Sequence, residues 1–99
     1  MSTPVPKFTP GQCLATPGAL EALNASGEAP DTYLDRHTCG DWGEVCPEDK
    51  QANEDALLSG DRLLSVYHLS TGDKVWIITE AVGQLGKREV TTLLLPEEY

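Results

Sequence analysis

At Gly60 the chain changes its hydrophobic rhythm, and that change limits what it can fold into. Before Gly60, apolar residues recur at three- and four-residue intervals in short segments broken by glycine; after it they cluster and alternate. A helical period cannot be held as a strand, nor a strand period as a helix, because the two geometries send side chains to different faces. Helices first and strands afterwards predict an α+β domain, not alternating βαβ units.

The helical half is punctuated at both ends of each segment. Thr16 offers its hydroxyl to the free amides of a helix start, and Pro17 suits the first turn because its missing N–H costs nothing there. Leu20 and Leu23 share a face with Ala19 beside them, and Gly27 is a left-handed stop. A second short helix is expected from Asp31, with Tyr33, Leu34 and His37 toward one side, broken at Gly40. A third runs from Pro47 to Ser59 and stops at Gly60. Glu48 and Asp49 sit at the positive end of its dipole, and Ala52, Ala56 and Leu57, or the overlapping set through Leu58, form its buried stripe. Strands are expected over 62–69, 74–80 and 88–95, with Ser70-Thr71-Gly72-Asp73 as a hairpin turn and Pro96 as the stop. The expected architecture is therefore two or three short N-terminal helices packed on a C-terminal three-stranded antiparallel β-meander. Residues 13–99 form one domain, and residues 1–12, with three of the seven prolines, form an extended arm.

Charge then narrows the functional classes. Seven Lys or Arg stand against sixteen Asp or Glu in 99 residues, a net charge of −9. Residues 31–61 hold two basic and nine acidic side chains, net −7, while the segments on either side are each net −1. The helical side is thus a poor surface for nucleic acid, which is bound largely by neutralising phosphates, and suits a basic protein partner. No apolar run approaches the roughly 20 residues that span a bilayer, so no membrane partner is expected. The first residues lack the apolar stretch of a secretory signal, which makes the cytoplasm the expected location.

The densest set of chemically capable residues is 36–46. Arg36, His37, Cys39, Asp41, Trp42, Glu44 and Cys46 lie there around Gly40 and Gly43. One reading is packing: Trp42 plugs the loop onto the sheet, Asp41 caps a turn and His37 is a satisfied structural histidine. For an interaction protein without catalysis, Arg36, His37, Gly40, Asp41, Trp42, Gly43 and Glu44 are the expected binding surface. A second is acid–base chemistry, with His37 titrating near neutrality, Arg36 or Arg62 holding an anion, and Thr91 reaching in from the sheet. A third is zinc held by His37, Cys39 and Cys46, with Cys13 or His68 as a fourth ligand, although H-x-C-x6-C is not a zinc-knuckle spacing. No Walker loop, G-x-G-x-x-G or G-x-S-x-G occurs, and no cofactor is expected.

An ordered series of motifs runs through the chain. It comprises Leu34-Asp35-Arg36-His37, Gly40-Asp41-Trp42-Gly43, Asn53-Glu54, Arg62 to Tyr67, Gly72 to Ala81, and Thr91 to Tyr99. The series resembles a family of small uncharacterised bacterial proteins found with plasmids and other mobile elements. What the resemblance implies is a domain of unknown function, with no catalytic residues to carry over. In place of that family's short acidic–arginine step after the second strand stands 81–89. The order of elements is also similar to that of barnase-like and ribosome-dependent toxin ribonucleases, an analogy of architecture. The expectation is a non-catalytic accessory or interaction module of a mobile element; the alternatives are a metal-independent ribonuclease using His37 and a zinc-stabilised binding module.

Overall fold

The computed structural model describes residues 5–99. Among them are strand β1 (Gln12–Ala15), helices α1 (Pro17–Ser26), α2 (Pro30–Thr38) and α3 (Pro47–Ser59), strands β2 (Leu63–His68), β3 (Lys74–Thr79) and β4 (Val90–Leu94), and a 3-10 turn at Pro96–Glu98. The class is α+β. The sheet is a mixed one of four strands in the order β1-β4-β3-β2, and this corrects the expected three-stranded meander. β2, β3 and β4 form the antiparallel meander, but β1 adds to β4 in parallel, pairing Gln12 with Val90 and Ala15 with Leu93. Nor are the helical elements all N-terminal, since β1 precedes them and the 3-10 turn follows the sheet. β1 escapes the sequence pattern because three of its four residues are exposed, so it carries no apolar alternation.

Each helix begins on a proline and two end on a left-handed glycine. Thr16 caps α1 by accepting from the Ala19 amide at 3.1 Å, and Gly27 closes it with φ 73°. α2 starts one residue before the expected Asp31, at Pro30, with Ala29 as its cap. On α3 the buried positions are Asn53 and Ala56, whereas Ala52 is exposed and Leu58 is 92% exposed. The expected stripe is rotated because Asn53 is needed beneath the helix, where it bonds β2.

The odd-numbered strand residues face the helices. Leu63, Ser65 and Tyr67 of β2, Val75, Ile77 and Thr79 of β3, and Thr91 and Leu93 of β4 are all at most 1% exposed. Leu23 and Ala19 of α1 and Tyr33 of α2 pack on one end of that face. Trp42 and Ala56 gather with Leu63 in a second cluster, with Phe8 of the N-terminal segment against them. Residues 1–4 of the expected arm lie outside the described residues. The remainder is bonded to the domain, with the Lys7 amide on the Thr38 carbonyl at 2.7 Å and the Thr91 hydroxyl on the Pro10 carbonyl at 2.8 Å. The opposite face is partly covered: the Tyr99 ring lies 5.5 Å from that of Trp76.

Candidate functional site

His37 is 0% exposed at the centre of a polar chain that runs across the sheet. α2 delivers it from its last turn, and the inward parity of β2, β3 and β4 delivers its partners. Nδ1 is 2.5 Å from the Ser65 hydroxyl and Nε2 is 2.8 Å from the Thr79 hydroxyl. Thr79 continues to Thr91 at 2.7 Å, and Thr91 donates to the Pro10 carbonyl. Phe8 and Trp42 meet the imidazole nearly at right angles, with centroids 5.2 Å and 5.7 Å away. Burial, helped by the charge of Arg88, pushes the His37 pKa down to about 4. The ring is therefore neutral at pH 7, one nitrogen donating and the other accepting.

Arg88 is the second buried polar anchor, 8% exposed. One terminal nitrogen donates to the carbonyls of Asp61 and Glu80, the other to that of Ala56 at 2.9 Å. Its guanidinium thus ties the end of α3, the start of β2 and the end of β3 with one planar fork. Desolvation lowers its pKa, with Asp61 opposing that shift.

The Gly40–Glu44 loop is held as the packing reading expects. Trp42 is 3% exposed and its indole N–H donates to the Glu54 carboxylate of α3 at 2.8 Å. Asp41 bonds the Arg36 guanidinium at 2.7 Å and accepts the Gly43 amide at 3.3 Å. The Arg36 hydrogen bond holds the Asp41 carboxyl below its usual range. Arg36 itself lies over the Tyr67 ring, 4.6 Å from its centroid, and the Tyr67 hydroxyl donates to the Asp41 carbonyl at 2.6 Å. Gly43 has φ 74°, and a Cβ there would collide with the Val66 carbonyl, so only glycine fits against the edge of β2.

These positions separate the sequence candidates. His37 and Thr91 belong to one buried chain. Arg36 and Asp41 are exposed on the far side of the loop, and Arg62 is beside Tyr99, donating to its hydroxyl at 2.6 Å. The proposed acid–base group and anion holders are therefore not brought together, because Arg62 projects toward the outward sheet face and His37 toward the inward one. Cys13 is exposed on β1, Cys46 is exposed at the start of α3, and Cys39 is half-buried after α2. Among the described residues, no three of His, Cys, Asp and Glu converge as metal ligands, and both nitrogens of His37 are engaged by hydroxyls. His68 faces outward, 4.0 Å from Glu44.

Ser65, Arg88, Phe8 and Asn53 were not legible as parts of this arrangement. The available signal was parity: Ser65, Thr79 and Thr91 occupy inward positions of otherwise apolar strands, which marks a buried hydrogen-bond network. No protein-family model, curated protein or solved structure matches the chain. No helix among the described residues is long and apolar enough to cross a membrane.

Proposed function

We propose that the protein is a non-catalytic interaction module, working in the cytoplasm and belonging to a mobile element, whose acidic helical side receives a basic protein partner. The observation that carries this reading is the contrast between interior and surface around the Trp42 loop. The His37 imidazole of α2 and the Trp42 indole of the loop are buried and spent on internal bonds, which removes these two from the expected binding surface. The carboxylates around them, Glu44, Glu48, Asp49, Asp55 and Asp61, are exposed. Such a surface attracts a basic partner over several ångströms of solvent and orients it before contact. The ribonuclease alternative would require His37 to exchange protons with a substrate, and its closed bonding to Ser65 and Thr79 weighs against that.

Trp42 is a core residue, so the contact surface is tested on the exposed carboxylates. A Glu48→Lys, Asp49→Lys, Asp55→Lys triple variant should stay folded and melt several degrees lower, because Glu48 and Asp49 face the positive end of the α3 dipole. In affinity capture from cells that carry the gene, a partner recovered with the native protein should be lost with the triple variant. Equal recovery of that partner by both would overturn the acidic contact surface.

A further inference from the structure

The two edges of the sheet are finished differently. On β2 the outward main-chain groups are taken. Asn53 of α3 accepts the Leu64 amide at 3.0 Å and donates to its carbonyl at 2.7 Å. The Val66 amide bonds the Trp42 carbonyl at 3.1 Å, and its carbonyl accepts the Glu44 amide at 2.6 Å. On β1 the Gln12 and Thr16 amides point into the sheet, to Glu89 at 2.9 Å and Leu93 at 3.0 Å. Amides alternate in direction along a strand, so the N–H and C=O of Cys13 and Ala15 point away from β4. β1 ends the strand order, so no strand among the described residues pairs with that side, and an edge of this kind pairs readily with another extended chain.

Beside this edge, on the helix-facing side of the sheet, lies a cleft of about 350 Å³ whose lining includes Phe8, Pro10, Cys13, Leu34, Asp31 and Asp35. Its floor is apolar, and among the described lining residues the charge comes from Asp31 and Asp35, both exposed. Desolvation and the nearby Asp31 charge raise the Cys13 thiol, which keeps it neutral. On the other face of the same strand Leu14 is 45% exposed.

We propose that β1 is a docking edge for an extended segment of a partner protein in which basic and apolar residues alternate. Its main chain would pair with Cys13 and Ala15. Its lysine or arginine stems would lie on Phe8 and Leu34 with their heads at Asp31 and Asp35, and its apolar residues would cover Leu14. The alternation matches the two-residue period of a strand, and long basic side chains bury their stems while keeping charge in solvent. A second copy of this chain, itself −9, is disfavoured there by repulsion. The site is separate from the α3 surface and does not depend on it.

The test is an amide chemical-shift titration of the isotope-labelled protein with acetyl-(Lys-Val)4-amide. The expected result is shifts centred on residues 12–15, 31 and 35. Binding should be lost when the peptide amides are alternately N-methylated, a change that leaves the protein untouched. Asp31→Asn with Asp35→Asn should weaken binding about fivefold, the size expected of two exposed ion pairs. The α3 triple lysine variant should still show shifts at residues 12–15, which separates failure of this site from failure of the acidic contact surface. Four outcomes would overturn the proposal: shifts confined to α3, indifference to N-methylation, equal binding of acetyl-(Glu-Val)4-amide, or concentration-dependent dimerisation through β1.

Discussion

The inward face of the sheet has two ends built on opposite principles. At one end Leu23, Tyr33, Tyr67, Val75, Ile77 and Leu93 pack as an apolar cluster. At the other, two or four residues along the same strands, Ser65, Thr79, Thr91 and His37 form a hydrogen-bonded chain beside Arg88. The apolar end is stabilised by removal of area from water, which is non-directional. The polar end is stabilised only while every member has its partner, and among the described residues no buried side-chain nitrogen or oxygen lacks one. The difference assigns stability to the first end and uniqueness of arrangement to the second: a register slip would leave hydroxyls and an imidazole unsatisfied in the core.

The sharpest way to break the comparison is to remove one member from each end. His37→Ala deletes a ring packed between Phe8 and Trp42 and removes a hydrogen-bond partner from each of two buried hydroxyls, Ser65 and Thr79, of which Thr79 keeps Thr91. The expected cost is about 4 kcal/mol, combining cavity and desolvation terms. Leu23→Ala, at 1% exposure on the apolar end, should cost about 3 kcal/mol from the cavity alone. Urea denaturation of both variants checks the order. A larger loss for Leu23→Ala would show that the polar chain contributes less than its burial implies.

Acid separates the two ends without mutation. The His37 pKa is about 4 when folded, against an ordinary value near 6.5, so the unfolded chain binds the extra proton between those values. Stability from this group is therefore complete above about pH 6.5 and falls as the pH drops toward 4. Between pH 7 and pH 5 the loss is about 2 kcal/mol. His37→Gln should flatten that part of the stability–pH curve, while Leu23→Ala should shift the whole curve down in parallel. An unchanged slope in His37→Gln would show that His37 is not the group whose protonation drives unfolding in this range; carboxylates held low, such as Asp41, lose their contribution only at more acid pH.

The same contrast explains what was legible in the sequence. Helix limits were readable because prolines and glycines act locally: Pro17, Pro47, Gly27 and Gly60 stand where they were expected. β2, β3 and β4 were readable because burial of one face imposes alternation. β1 was not, since its partner lies 78 residues away at Val90 and its own side chains are mostly exposed. His37 was correctly offered as a satisfied histidine, but its partners Ser65 and Thr79 are 28 and 42 residues distant, and hydroxyl networks leave no periodic trace. Arg88 reads as the first residue of the third strand, and nothing local signals that three carbonyls converge on it.

The smallest expected effect lies at the sheet edge. Asn53 imitates a neighbouring strand for β2, with its amide oxygen and nitrogen each meeting one main-chain group of Leu64. Asn53→Ala releases both main-chain groups of Leu64, which water can reach once the side chain is gone, and the expected cost is about 1.5 kcal/mol. Asn53→Asp keeps the acceptor but turns a carboxylate oxygen toward the Leu64 carbonyl at a buried position, so it should cost more than Asn53→Ala. Amide hydrogen exchange reads this directly. The Leu64 N–H should stay protected in Asn53→Asp and exchange faster in Asn53→Ala. Protection of Leu64 unchanged in both variants would mean that α3 packing alone shields the edge. β2 and β1 would then differ only in what lies over them, not in how their hydrogen bonds are met.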